Sequence, residues 1–133
     1  MTNINVGDKL PTLTLPAIKR STLALFAGAS GDHNPIHIDS DFAKAAGMDD
    51  VFAHGMLSMA YLGRMLTNWQ PQSKLRKFSN RFLAITQLHD VITCTGEVVD
   101  IVNENGELRA RIEIFATKAE GTHTLAGVAE VAI

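Results

Sequence analysis

Gly55-Met56-Leu57-Ser58-Met59-Ala60-Tyr61-Leu62-Gly63-Arg64-Met65-Leu66-Thr67-Asn68-Trp69 decides how the rest of the chain must be arranged. Met56, Leu57, Met59, Ala60, Leu62, Met65 and Leu66 cover nearly every face of a helix, with Gly63 in the middle. A helix that is apolar all round is a buried one, and this one would be about 22 Å long at about 1.5 Å per residue. From Arg76 onward the apolar period changes from 3.6 to 2. Phe78, Phe82 and Ala84 alternate with Ser79, Arg81 and Leu83, and Ile92 to Val102 reads as the next strand. Asn103-Glu104-Asn105-Gly106 is a hairpin signal, because Asn-Gly tolerates positive φ at both central positions. Beyond it, Leu108, Ala110, Ile112, Ile114 and Ala116 share one face, and Arg109, Arg111, Glu113 and Thr117 the other. Gly121 marks a turn before a last strand, Thr124 to Val131. The pattern predicts an α+β fold: a meander of four antiparallel strands wrapped around one central helix. A single curled sheet leaves its edges open, and pairing into a dimer would cover them.

Upstream, residues 8–16 read weakly as a strand around Leu10, Leu13 and Leu15, and residues 20–29 as a short helix. That helix lacks a good N-cap, since Lys19 precedes it. Residues 32–53 read as irregular, with one short helix near Asp39–Ala46 capped by Asp39 or Ser40.

The chain has 133 residues, enough for one domain with a real core. Its 46% hydrophobic and 20% charged content is ordinary for a globular protein and argues against disorder. A net charge of −2 gives no global argument for nucleic acid. The lone Cys94 excludes an intramolecular disulfide and suits a reducing compartment. The opening Met-Thr-Asn-Ile-Asn lacks the features of a signal peptide, and no run approaches the roughly 20 apolar residues of a bilayer span. A soluble, cytoplasmic single domain over 1–133 is expected.

Two segments carry candidate chemistry. Asp32 and His37 lie five residues apart on the turn-rich loop Ala29-Ser30-Gly31-Asp32-His33-Asn34-Pro35-Ile36-His37. A carboxylate beside an imidazole can hold a water and move its proton at neutral pH. On spacing alone, the plainer reading is a turn-forming aspartate and a packed histidine. Sixteen residues after His37 comes Ala53-His54-Gly55-Met56-Leu57. The first N–H groups of a helix have no internal partner, and glycine lets a carbonyl approach them closely. Such a donor stabilises charge developing on a thioester oxygen. The plainer reading is a glycine that starts the helix against a tight neighbour.

A metal site is the competing chemistry. Asp32, His33, His37, Asp39 and His54 are a conceivable ligand set, but no His-x-x-x-His pair or partner cysteine supports it, and no metal is expected. His89 and His123 read as exposed. Met56 and Met59 beside Gly63 read either as core filler or as the wall of an acyl-chain tunnel. Lys74-Leu75-Arg76-Lys77 with Arg81 is either a solvated basic face or a dock for phosphates.

Together, Ser30-Gly31-Asp32-His33-Asn34-Pro35-Ile36-His37 resembles the signature of the MaoC-like (R)-specific enoyl-CoA hydratases and (3R)-hydroxyacyl dehydratases. Ala53-His54-Gly55-Met56-Leu57 resembles the start of that family's central helix, and the similarity runs from about Val6 to the C-terminus. The resemblance implies the hotdog fold, a curved antiparallel sheet around a long helix, paired into dimers. It implies Asp32 and His37 as the catalytic pair, the Gly55 N–H as oxyanion donor, and Asn34 as support for the loop. The expected reaction is reversible hydration of a trans-2-enoyl thioester to the (3R)-hydroxyacyl product. No cofactor is implied beyond the coenzyme A or phosphopantetheine of an acyl-CoA or acyl-carrier-protein substrate. Asn34, His54, Met56, Met59, Gly63, Arg76, Lys77 and Arg81 form the expected substrate-contacting set. A hotdog thioesterase and a non-catalytic acyl-binding subunit of a heterodimer are the alternatives.

Overall fold

Strand-forming residues from Leu75 onward build one antiparallel sheet, and the apolar helix before them fills its concave side. The structure is a computed structural model and describes residues 3–133. Met1 and Thr2, which open the stretch read for a signal peptide, lie outside it. The elements are β1 (Leu13–Thr14), α1 (Arg20–Ser30), α2 (Ser40–Ala45), α3 (Gly55–Trp69), β2 (Leu75–Phe82), β3 (Ile92–Glu104), β4 (Glu107–Lys118) and β5 (His123–Ala132). Single 3-10 turns occupy Pro35–His37 and Gln72–Lys74.

The hotdog arrangement expected from the sequence is present: a five-stranded antiparallel sheet around α3. Cys94, Val98, Ala110, Ile112, Ile114 and Ala116 are fully buried on its concave face, packed with Leu62, Met65 and Leu66 of α3. This alternation of buried and exposed residues is what period 2 dictates for a sheet with one covered face. The helix approaches closely at Gly96, where a Cβ would stand 3.2 Å from Met65 Cε and from Leu10 Cδ2. Register shifts after Val98 and Ala116 mark bulges, which curve a sheet. Asn105 and Gly106 have φ of 51° and 86°, as the β3–β4 hairpin requires.

Three expectations need correction. The four long strands are not a simple meander, because the sheet order is β1-β3-β4-β5-β2. Only β3, β4 and β5 follow one another, while β2 pairs β5 at the far edge. The segment 83–91 leaves that edge and is held on the way by the Ala53 N–H on the Thr86 carbonyl. Residues 8–16 shrink to the two-residue β1 plus a bridge from Lys9 to Glu97. Pro11 and Pro16 have no N–H for a longer ladder. Finally, α3 is not buried all round. One sheet covers one side of a helix, and the opposite stripe stays open, with Met56 52% exposed.

The short helices follow their local signals. Lys19 gives α1 no side-chain cap, and Gly31 ends the helix at φ 76°. Asp39 caps α2 by accepting from the Asp41 and Phe42 N–H groups. An ion pair from Arg20 to Asp50, shared with Ser40 Oγ, ties α1, the start of α2 and the approach to α3 together. Among the described residues no helix is long and apolar enough to cross a membrane.

Candidate active site

The loop after α1 is built by side chains that cap its own backbone. Gly31 adopts the left-handed conformation that stops α1, a position favouring glycine. Asp32 Oδ1 then accepts the Asn34 N–H at 3.2 Å, and Asn34 Oδ1 accepts the Ile36 N–H at 3.1 Å. Pro35 occupies the first position of the 3-10 turn that carries His37. Asn34 therefore shapes the loop through its own side chain. Asp32 Oδ2 stays free of these bonds and faces His37 Nε2 at 4.0 Å.

His37 is 8% exposed, and its Nδ1 lies 2.7 Å from the Phe52 carbonyl oxygen. A carbonyl only accepts, so Nδ1 carries the hydrogen and Nε2 is left as the proton-accepting nitrogen toward Asp32. The Asp32 side chain is 48% exposed. A separation of 4.0 Å is one that a single oxygen bonded to both groups would span at ordinary hydrogen-bond lengths.

Gly55 is the first residue of α3, so its N–H has no intrahelical acceptor. It lines a mostly apolar cavity of about 450 Å³ together with Asp32, Met56 and Phe82. A second cavity, of about 390 Å³, lies on the other side of Met56, between Phe26, Met59, Ala60 and Phe78. Asp32 and Met56 line both, which places the carboxylate where the two spaces meet.

The remaining expected contacts divide. Met56 and Met59 face the cavities. Gly63 sits behind the second cavity's wall, where a Cβ would make ordinary contact with Phe78 at 3.6 Å. His54 is 1% exposed and lines neither cavity; its Nε2 lies 3.1 Å from the Asp32 carbonyl oxygen. Arg76 is bound to both Glu107 oxygens and to the Ser73 carbonyl. Lys77 lies 3.8 Å from Glu130, a carboxylate 3% exposed beneath Arg109 and Arg111. Arg81 forms no ion pair among the described residues. Phe26, Ser30 and the segment Phe82-Leu83-Ala84-Ile85-Thr86 are cavity walls that no motif in the sequence marks. The only available signal was the apolar character of 82–85 just beyond a strand.

Of the five residues weighed as metal ligands, the fold gathers three. Ligand atoms of Asp32, His37 and His54 lie within 4.8 Å of one another, the one such cluster found among the described residues. His33 points into solvent and Asp39 caps α2. One nitrogen of each imidazole already serves a backbone carbonyl.

The family model described as MaoC like domain matches residues 5–129. The chain belongs to the MaoC-like family. Among curated relatives, the (R)-specific enoyl-CoA hydratase of Rhodospirillum rubrum is 34% identical over 89 residues, 65% of this chain and 62% of that protein. The fatty acid synthase subunit beta of Saccharomyces cerevisiae is 26% identical over 131 residues, 96% of this chain but 6% of that subunit. The chain thus matches less than two thirds of the length of both. The R-hydratase of Pseudomonas aeruginosa, solved unliganded, is 29% identical with a TM-score of 0.81, over 96% of this chain and 81% of that one. In this MaoC-like chain, Asp32 and Met56 line both cavities and Gly55 lines the first, whereas His37 lines neither and borders a separate pocket with Arg20, Ser21 and Val51.

Proposed function

We propose that this chain catalyses the reversible addition of water to a trans-2-enoyl thioester, giving the (3R)-3-hydroxyacyl thioester. The observation that carries the reading is the 4.0 Å approach of Asp32 Oδ2 to His37 Nε2 beside the first amide of α3. In hydration, the thioester carbonyl rests against the Gly55 N–H. Water adds its oxygen to the β-carbon and loses a proton to one member of the pair. The α-carbon takes up a proton, and the charge that builds on the carbonyl oxygen in between is stabilised by the helix-start amide. The reverse sequence removes water. All the groups used belong to the chain or to the thioester.

The two cavities suit the two ends of such a substrate, with the thioester at their junction and apolar walls from Met56, Met59 and Phe78. Coenzyme A or the phosphopantetheine of a carrier protein supplies the thioester, with Lys74 and Arg81, which form no ion pair among the described residues, as the basic-cluster members free to meet its phosphates. The eight-residue edge β2 has one unpaired side, and a second copy of the chain is the proposed partner along it. A cytoplasmic setting fits Cys94, whose thiol is buried and pushed up to about 12 by that burial.

The test is absorbance of crotonyl-CoA at its enoyl band, with chiral analysis of the product. Wild-type protein removes the band and forms the (3R) isomer. Asp32→Asn and His37→Ala each lower kcat by about 10³-fold or more. Full activity in both variants sinks the site. Release of free coenzyme A without hydration turns the reading to thioester hydrolysis. Activity lost to EDTA and regained with a divalent cation would revive the metal site.

A further inference from the structure

His54 and His37 hold each other's segments. The two rings stack with centroids 3.9 Å apart and planes 27° apart. His37, on the loop, donates from Nδ1 to the carbonyl of Phe52, two residues before His54. His54, at the head of α3, reaches back with Nε2 to the carbonyl of Asp32. That carbonyl can only accept, so His54 carries its hydrogen on Nε2. Its Nδ1 is buried with no hydrogen-bond partner among the described residues. Protonating Nδ1 would bury a charge and an unsatisfied donor together, so the ring is held neutral. The ionisable groups facing it are His37 and Asp32, and α1 contributes only the edge of Phe26 at 4.8 Å. Burial pushes the His54 imidazole below its ordinary value, and His37 acts the same way against the opposing bond to Asp32.

We infer that His54 is a positioning residue of the proposed hydration: its Nε2–H fixes the Asp32 backbone to the head of α3, and its neutral ring is the platform that orients His37. The inference rests on the hydration reading and deepens it. The carboxylate loop and the oxyanion donor come from segments over twenty residues apart, from Asp32 to Gly55. The imidazole between them sets their spacing without touching substrate. A neutral neighbour also lets His37 take up a proton without facing a second positive charge across the stack.

The experiment compares His54→Leu, which fills the volume without a donor, with His54→Gln, which places an N–H at a similar reach. Kinetics on crotonyl-CoA are paired with imidazole ¹⁵N NMR of the wild-type protein. Leucine is expected to lower kcat by about 100-fold with KM changed by less than about threefold, and glutamine to recover most of the loss. Wild-type His54 is expected to show the neutral Nε2–H tautomer at neutral pH. Wild-type kcat in His54→Leu, or glutamine no better than leucine, overturns the inference. A rise in KM at constant kcat overturns it too, by making His54 a substrate contact. Should the leucine variant not fold, the wild-type spectrum decides: a titrating ring, or one protonated on Nδ1 alone, rules the role out. A wild-type protein without hydration activity defeats the proposed function instead, and the tautomer then still reports whether the Asp32 carbonyl is held.

Discussion

Phe82, the last residue of the edge strand β2, packs directly against Gly55, the first residue of α3. A Cβ on Gly55 would stand 2.8 Å from both Phe82 Cδ1 and Cε1. The contact explains why a glycine starts this helix, and it also leaves the first amide accessible from the cavity. Phe82 is 57% exposed and its ring can swing aside, so Gly55→Ala is expected to fold. Its methyl group would instead obstruct the approach of a carbonyl to the amide, lowering kcat by about 10²-fold. Adding Phe82→Ala relieves the crowding and recovers Tm but not kcat, measured against Phe82→Ala alone. Full recovery of kcat in the double variant would reduce Gly55 to a packing role.

Arg76 and Arg81 lie on the same strand with different commitments. Arg76 is occupied by Glu107, whereas Arg81 has no ion-pair partner among the described residues. Arg81→Ala is therefore expected to raise KM for a coenzyme A thioester by about fivefold at low salt, with kcat unchanged and the effect shrinking as salt is added. On a pantetheine thioester, which lacks the nucleotide phosphates, the same substitution leaves KM alone. An equal rise on both substrates counts against phosphate recognition.

Hydrogen bonds from Arg76 and then Arg109 hold the Glu107 carboxyl down to about 2 from its ordinary 4.5. A carboxylate depressed by folding stabilises the native state above its unfolded value, and that stability is lost as pH falls toward the folded one. Wild-type Tm, followed by circular dichroism, should fall as pH drops from about 4.5 to about 2 more steeply than that of Glu107→Gln. The two curves should converge below this window. Parallel curves throughout would mean that the pair contributes nothing measurable.

Leu62 is fully buried where α3 meets the sheet. Leu62→Ala removes core contacts from both and is expected to cost about 3 kcal/mol in urea unfolding. A loss below about 1 kcal/mol would show that the surrounding core collapses into the space.

What could be read in advance tracks how local each feature is. The Asn105-Gly106 hairpin was legible because its positive φ angles are demanded by two adjacent residues. The start of α2 at Asp39 or Ser40 was legible because a capping side chain reaches only two or three residues along the chain. The position of β2 was not legible, because pairing Phe78 with Ala129 depends on a partner some fifty residues away. At the proposed site, residue type and spacing alone favoured a plain turn, and Asp32, His37 and Gly55 were singled out by their resemblance to the family's two motifs. The partners that orient the two imidazoles were not legible. They are the backbone carbonyls of Phe52 and Asp32, and a carbonyl has no signature in sequence.

The sequence by itself determined a helix–sheet fold of the MaoC-like kind and the two short segments that carry the proposed chemistry. Period, capping and turn propensity act over a few residues and are written directly in residue type. Only the tertiary structure decided that β2 closes the far edge and that Arg76 is spent on Glu107. It also decided that His54 turns inward to grip the loop rather than outward to the cavity. Each of those outcomes depends on which groups meet across the fold, where burial and competition for hydrogen-bond partners select one arrangement.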